Sequence, residues 1–402
     1  GEQGTWPLDR VLAPALRYAE EGFVVHQRTA EEWRFAAGKL ALTPEARDGL
    51  LRDGMAPSAG TVWRMPALAR TLRAIAEGGP RAFYEGEIGE GLADFLRSKG
   101  GFHAAEDFAS HRGRYVDPLS TSYRGCDVWQ IPPNGQGATA LLMLNLLETY
   151  PVGELAFDGA ERHHLLARAA QLAFAERNRT IADPDFGPVP VEIFLDKAKA
   201  TSMASALCDA DAASGQPHPS ARGDTAYVSV VDRDRNAVSL ISSLFEGFGT
   251  GLYEPQTGVV FHNRGSGFSA LKSHPNALAP GKRPLHTIIP GMVSRSGRPI
   301  VSFGVTGGPF QPIGQTQIIC GIVDHGLDIQ DVIDRPRSFL LDGKLQLEPG
   351  LMPLAGLLGA LGHEVVPAAR AIGGAHGIAI DWANGSLFGG SDARKDGAAL
   401  AT

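Results

Sequence analysis

The chain has 402 residues with 37 Lys and Arg against 44 Asp and Glu, a formal charge of −7, which excludes a nucleic-acid binder held by bulk positive charge. Hydrophobic residues at 43% and charged residues at 20% are ordinary globular usage, so a large core can form and extensive disorder is excluded. The 3 cysteines, Cys126, Cys208 and Cys320, stand far apart without a C-x-x-C spacing, which excludes zinc ribbons, iron–sulfur centres and a disulfide scaffold. No apolar run reaches the roughly 18 residues of a membrane span, the best attempt, Ala138 to Leu147, being interrupted by Asn145. The opening residues do not read as a signal peptide; the compartment stays unassigned, with cytoplasmic favoured over periplasmic.

Leu8, Val11, Leu12, Leu16 and Ala19 recur at helical spacing before the stop at Gly22, so Pro7 to Glu21 reads as an amphipathic helix that Pro14 should kink. Such a beginning reads as mid-domain, downstream of a natural N-terminus. Pro66 opens a second helix through Leu68, Leu72 and Ile75 to Gly78-Gly79. Further helices are expected over Leu92 to Lys99 and Ala104 to His111. The period then changes. Tyr123 to Ile131 reads as a strand, and Pro132-Pro133-Asn134-Gly135-Gln136-Gly137 turns it into an apolar helix ending near Glu148. Glu161 to Asn178 is helical on the stripe Leu165, Leu166, Ala169, Ala173.

Asp209 to Gly223 is rich in Ala, Ser, Gly and Pro and reads as a loop or linker. Thr225 to Asp232 and Ala237 to Leu244 are strand-like runs joined by Arg233-Asp234-Arg235-Asn236, a hairpin signal. More strands are expected at Gly258 to His262, Thr287 to Val293 and Pro299 to Val305, the last two joined by a turn at Ser296-Gly297. Helices return at about Gly314 to His325, Ile329 to Asp334 and Met352 to Leu361, before closing strands near Val365 and Gly377 to Asp381. This order points to a layered α+β sandwich with helices over both faces of antiparallel sheet.

G-x-S-x-G, H-E-x-x-H and G-x-x-x-x-G-K-[ST] are all missing, which removes the commonest hydrolase, zincin and P-loop readings. Gly247-Phe248-Gly249-Thr250-Gly251 opens no helix and reads as a tight turn rather than a dinucleotide loop. His163 and His164 are adjacent on a helix, so their side chains diverge and read as a solvated or boundary pair rather than as joint metal ligands. Asp183-Pro184-Asp185 offers two carboxylates to a cation but equally makes an ordinary turn.

Gly223-Asp224-Thr225 is a more unusual junction, where a linker runs directly into a strong strand. A hydroxyl is a poor nucleophile without a base beside it, and one solution is a residue whose own free α-amine takes the proton. That requires the Asp224–Thr225 bond to be cut; the alternative is that Thr225 is merely the first residue of a strand. Thr306-Gly307-Gly308-Pro309 either presents backbone N–H groups to an oxyanion or only reverses the chain before the next helix.

At these residues the sequence resembles the γ-glutamyltranspeptidase family, N-terminal-nucleophile hydrolases that mature by self-cleavage into a large and a small subunit. The resemblance rests on Gly223-Asp224-Thr225, Ser229-Val230-Val231-Asp232, Phe248-Gly249-Thr250-Gly251, Pro280-Gly281-Lys282-Arg283-Pro284-Leu285, Thr306-Gly307-Gly308, Asp334-Arg335-Pro336-Arg337 and Gly389-Gly390-Ser391-Asp392-Ala393-Arg394. Tyr123-Arg124-Gly125, the Pro132 to Gly137 run and Asp183-Pro184-Asp185-Phe186 fit in the first half. It implies a four-layer αββα fold in which residues 1–224 are a large-subunit portion and 225–402 a small subunit, together one domain. It further implies cleavage between Asp224 and Thr225, Thr225 as nucleophile, Gly307 and Gly308 at the oxyanion hole, and Ser243 where a hydroxyl bonds the nucleophile's amine. No cofactor or metal is implied. The family's N-terminal region, with an Arg that grips the substrate carboxylate, matches nothing in this chain.

The departures concern substrate. Phe245 stands where γ-glutamyl enzymes use an Asn, Gly267 replaces the acidic residue that receives the α-ammonium, Arg264 is the neighbour three residues earlier, and His286-Thr287 replace a Ser pair. Losing that carboxylate removes a charged contact worth roughly 1.5–3 kcal/mol, which argues against glutathione cleavage. Asn263-Arg264-Gly265 resembles the branch that includes oxamate amidohydrolase and the cephalosporin acylases. Arg264 reads either as a cationic pocket wall or as a surface salt bridge. The expectation is a self-processing amide hydrolase or acyltransferase acting on a small carboxylate-bearing amide, with two subunits from one precursor and a possible higher oligomer, and with no nucleic-acid or membrane partner. The alternatives are a true γ-glutamyltransferase or glutathione hydrolase, and an inactive binding scaffold of the same fold.

Overall fold

The computed structural model describes residues 4–207 and 224–401, so the expected Asp209 to Gly223 linker lies outside the described residues. Contacts divide the chain into two compact units, Gly1–Tyr115 with Gly247–His262, and Val116–Glu246 with Asn263–Thr402. The Asp224–Thr225 boundary falls inside the second unit, at the start of a strand.

The first unit is helical, as its sequence indicates. α1 (Leu8–Glu21) ends at Gly22, which adopts φ 97° and whose N–H returns to the Tyr18 carbonyl. α2 (Gln27–Leu40) and α3 (Pro44–Leu50) are helices that the apolar spacing does not announce. The buried stripe of α2 is Ala30, Trp33, Ala36 and Leu40, and its alanines carry little hydrophobic signal. Trp33 anchors this unit: its indole N–H donates to the Leu50 carbonyl at 2.9 Å, and its ring lies 4.9 Å from Trp63 and 5.2 Å from Phe248. α4 (Pro66–Gly78) and α5 (Glu87–Ser98) follow near their expected places. The Gly247 to Gly251 run is a turn, clamped by the Lys39 ammonium donating to the Gly247 and Gly249 carbonyls at 2.8 and 2.9 Å. The expected strand from Gly258 to His262 shrinks to Val259–Val260.

The second unit begins with a hairpin, β1 (Leu119–Tyr123) and β2 (Cys126–Gln130), in place of the single strand expected over Tyr123 to Ile131. Arg124 at φ 50° and Gly125 at φ 80° make the tight turn, and an Arg at the first of these positions hides it from a composition-based reading. α6 (Gly137–Leu147) is buried along its whole length, and α7 (Ala160–Thr180) packs beside it. The expected hairpin follows as β3 (Asp224–Val231) and β4 (Ala237–Phe245). β5 (Gly291–Arg295) starts four residues later than expected, after Pro290, which has no N–H to give a ladder. Ser296 and Gly297, both at positive φ, lead into β6 (Arg298–Thr306). α8 (Gln311–Val323) and α9 (Ile329–Asp334) come next, then a small sheet of β7 (Ser338–Leu341), β8 (Lys344–Leu347) and β9 (Glu364–Pro367), and finally β10 (Gly374–Asp381) and β11 (Ser386–Ser391).

The main sheet has six strands in the order β11-β10-β6-β5-β2-β1, antiparallel throughout. Helices α6, α7 and α8 share one core with it, built from residues such as Leu142, Phe174, Val305, Phe310 and Ile318. The β3–β4 hairpin stacks on β6. The Ser229 hydroxyl donates to Ser302 Oγ at 2.8 Å, and the Tyr227 ring fills the space above Gly304, where a Cβ would stand 2.2 Å from it. Helix layer, first sheet and second-sheet hairpin are thus superposed, with Val228, Val230, Val238 and Leu240 half exposed on the hairpin's outer face.

Candidate active site

Thr225 lies directly opposite Ser243 in the hairpin register, next to a bulge that sets Asp224 against Phe245. The Thr225 hydroxyl donates to Ser243 Oγ at 3.0 Å, and Ser243 Oγ also accepts the Phe245 N–H at 2.9 Å. Phe245 sits at φ 79°, a left-handed conformation costing about 1–3 kcal/mol in a bulky residue, of the kind concentrated at functional sites.

The stacking of the two sheets indicates what Thr225 faces. Ser229 meets Ser302 and Tyr227 meets Gly304, so each two-residue step back along β3 is a two-residue step forward along β6. One further step carries Thr225 to Thr306 and the Gly307-Gly308 turn. Gly307 and Gly308 adopt φ 114° and 57°. The Gly307 carbonyl accepts the Phe310 N–H at 3.1 Å and the Gly308 carbonyl accepts Gln136 Nε2 at 3.0 Å, whereas no acceptor for either glycine N–H is found among the described residues. A pair of backbone donors with committed carbonyls is the arrangement an oxyanion requires.

Beside the hairpin that carries Thr225 is a cavity of about 370 Å³ whose walls include Arg177, Ile181, Phe245, Gly267, Leu285 and Thr287. Arg264 is only 4% exposed, so the surface salt-bridge reading fails. Its guanidinium carbon lies 5.4 Å from the Phe245 ring centroid and its Nη1 donates to Thr287 Oγ1 at 3.3 Å. Burial pushes its pKa down to about 10. Phe245, Arg264 and Thr287 are therefore brought together, as their shared departure from the family pattern suggests. Gly267 joins them as backbone wall: a Cβ there would lie 2.9 Å from the Leu285 carbonyl oxygen. His286 does not line the cavity; its Nδ1 faces Asn134 Nδ2 at 2.7 Å and the Pro284 carbonyl at 2.8 Å.

Sequence reasoning missed Arg177 and Gln136. Arg177 is fully buried and bonds only neutral partners: Nε and Nη2 donate to Asn178 Oδ1 at 3.0 and 2.7 Å, and Nη1 donates to Gln136 Oε1 at 2.8 Å. Its guanidinium also lies 4.4 Å from the Phe174 ring. Burial lowers it to about 9. A signal was available, because Arg177 continues the apolar stripe of α7 through Ala169, Ala173 and Phe174, where a charge is out of place.

One other reading is corrected and one open alternative is decided. His163 is a core residue, not a solvated one: it is wholly buried, its Nδ1 lies 2.8 Å from Ser338 Oγ, and burial pushes it down to about 3. His164 diverges from it to meet His363 at 2.9 Å. Asp183 and Asp185 form a turn and pair with Arg283, which consumes the carboxylates that a cation would need. No cluster of three metal-ligating side chains occurs among the described residues, and no described helix is long and apolar enough to cross a membrane.

The γ-glutamyltranspeptidase family model matches residues 2–402. The chain belongs to this family. Among its γ-glutamyltranspeptidase relatives are the glutathione hydrolase-like YwrD proenzyme of Bacillus subtilis, 37% identical over 99% of this chain and 77% of that protein, and the oxamate amidohydrolase proenzyme of Klebsiella pneumoniae, 34% identical over 98% of this chain and 76% of that protein. The crystal structure of cephalosporin acylase from Bacillus halodurans superposes with a TM-score of 0.88 at 36% identity, covering 98% of this chain and 74% of that one. The fold is thus the αββα sandwich of N-terminal-nucleophile hydrolases, and the chain is an amide hydrolase or acyltransferase of that class.

Proposed function

We propose that Thr225 is the nucleophile of a self-processing amidase whose substrates carry a carboxylate and no α-ammonium. The hydrogen bond from Thr225 to Ser243 is the observation that carries this reading, supported by the stacking of Ser229 on Ser302 and Tyr227 on Gly304, which extends toward the Gly307-Gly308 turn.

Hydrolysis of the Asp224–Thr225 bond frees the Thr225 amine, whose ordinary pKa of roughly 7.7–8.0 leaves a useful neutral fraction near pH 7. The amine takes the hydroxyl proton as Oγ1 bonds the substrate carbonyl carbon, and the N–H groups of Gly307 and Gly308 receive the oxyanion. The C–N bond then breaks, the leaving amine departs with the proton, and an ester to Thr225 remains. Water attacks that ester with the same amine as base, releasing the acid and restoring the hydroxyl; an acceptor amine in place of water gives transfer. Arg264 and Arg177 make the region around the cavity cationic, while the Gly267 wall offers no carboxylate to an ammonium.

Intact mass and N-terminal sequencing test the first half: purified protein yields a fragment beginning at Thr225, and Thr225→Ala yields one uncut, inactive chain. A cut chain with no turnover on an amide library would instead favour a binding scaffold. Comparing a γ-glutamyl anilide with glutaryl and oxamyl amides tests the second half, and preference for the γ-glutamyl compound would make the protein a glutathione hydrolase or transferase proper.

A further inference from the structure

We infer that Gln136 is a positioning residue for the oxyanion turn, with Arg177 fixing its orientation. The inference rests on Gly307 and Gly308 being the oxyanion donors.

Gln136 is wholly buried at the entrance to α6, and every polar atom of its side chain is committed. Only an amide oxygen can accept from a guanidinium, so the 2.8 Å contact with Arg177 Nη1 fixes which end of the amide is Oε1. Nε2 then points the other way, donating to the Thr287 carbonyl at 2.8 Å and the Gly308 carbonyl at 3.0 Å. The backbone of Gln136 is held as well, its N–H donating to the His286 carbonyl at 3.0 Å. One side chain thus ties the buried arginine of α7, the cavity wall at Thr287 and the second glycine of the turn.

This matters because consecutive glycines have little steric preference of their own. Without Cβ atoms, the Gly307–Gly308 and Gly308–Pro309 peptide planes are set by what holds their carbonyls. Phe310 N–H holds Gly307 O, and Gly308 O is held by Gln311 N–H and by Gln136. The first two bonds lie within the turn and would move with it; Gln136 alone of the three anchors it to another element, holding the Gly308–Pro309 peptide, which has no N–H of its own but fixes the Gly308 end of the donor-bearing Gly307–Gly308 plane. Donors that drift from the developing oxyanion lose transition-state stabilisation while leaving ground-state binding nearly intact.

The test is steady-state kinetics of Gln136→Glu and Gln136→Met on the γ-glutamyl or glutaryl anilide that the wild type turns over. Gln136→Glu keeps the size and the contact to Arg177 but has no N–H for Gly308. The expected result is a kcat reduced at least about tenfold with KM within about threefold, in protein whose thermal midpoint stays near the wild type. An unchanged kcat, or a rise in KM alone, overturns the inference. Should neither variant fold or mature, Arg177→Lys carries the test: it leaves the Gln136 donors in place but loosens their orientation, and it must lower kcat without raising KM. Thr225→Ala separates the two readings. If it retains activity, the nucleophile assignment fails; if it is inactive while Gln136→Glu is normal, only this inference fails.

Discussion

The guanidinium of Arg264 lies over the face of Phe245, two residues beyond Ser243 on the strand that partners Thr225. This places a buried cation and an aromatic surface next to the hydroxyl proposed to react. Removing the charge should therefore act on substrate choice. Arg264→Met is expected to lower kcat/KM for glutaryl or oxamyl amides by about 1.5–3 kcal/mol, roughly 10- to 150-fold, with less than about threefold change for a neutral acyl anilide. Equal losses on both substrates would show that Arg264 supports only the fold.

Ser243 Oγ accepts hydrogen bonds from Thr225 and from the N–H of the strained Phe245. Ser243→Ala leaves the Thr225 hydroxyl without its acceptor and the Phe245 backbone without its tether. We expect at least a tenfold fall in kcat and slower appearance of the Thr225-started fragment, followed by gel and mass spectrometry. Self-cleavage and turnover at wild-type rates would remove Ser243 from the site.

The hairpin carrying Thr225 was legible because alternation along Thr225 to Asp232 and Ala237 to Leu244 survives intact on either side of a polar turn. Gly307-Gly308 was equally visible, since two glycines before a proline at a strand's end have few uses. What stayed hidden depends on contacts between distant segments. Gln136 meets Gly308 across 172 residues of chain and breaks no local pattern, whereas Arg264 was already a candidate and needed only its burial against Thr287 and Phe245 to decide between wall and surface. The His163-His164 pair misled for a related reason: two adjacent polar residues look solvated, yet the packing of α7 beside Ser338 buries one and leaves the other partly exposed.

His163 also gives a pH dependence. Burial holds its folded-state pKa at about 3 against an ordinary 6.5, so the unfolded chain binds a proton that the folded chain refuses. The associated stability is present above pH 6.5 and is lost as pH falls from there toward 3, on the order of 5 kcal/mol in full. His163→Gln should be less stable than the wild type at pH 7.5 but lose stability less steeply between pH 6.5 and 4, as read by denaturant unfolding. Parallel pH profiles for the two proteins would show that His163 titrates normally.

Gly307 leaves little room for a side chain and holds a backbone conformation that L side chains rarely adopt. Its φ is 114° and a Cβ would stand 3.0 Å from the Gly373 backbone. Gly307→Ala must shift the turn that presents the oxyanion donors, and a lost donor is worth about 10²- to 10³-fold in kcat. The expected variant folds, with a thermal midpoint lowered by a few degrees, and is nearly inactive. A kcat within threefold of wild type would place the oxyanion elsewhere.

The stacking of the hairpin on the main sheet can be tested by a double-mutant cycle. Tyr227 occupies the space above Gly304, where a Cβ would come within 2.2 Å of its ring, and its hydroxyl is tied to Ser239 across the hairpin at 2.8 Å. Gly304→Ala should push the hairpin off β6 and carry Thr225 away from the Gly307-Gly308 turn, and a displacement near 1 Å at a reacting group costs on the order of 10²-fold. Tyr227→Ala removes the obstruction at the expense of a cavity, about 3–5 kcal/mol for a large aromatic. With both changes made, the methyl added by Gly304→Ala has room, so activity should recover well above that of Gly304→Ala alone, with a coupling energy of about 0.5–3 kcal/mol between residues in contact. Strict additivity of the two single effects would mean that Tyr227 does not lie over Gly304, and the alignment that brings Thr225 to the glycine turn would be wrong.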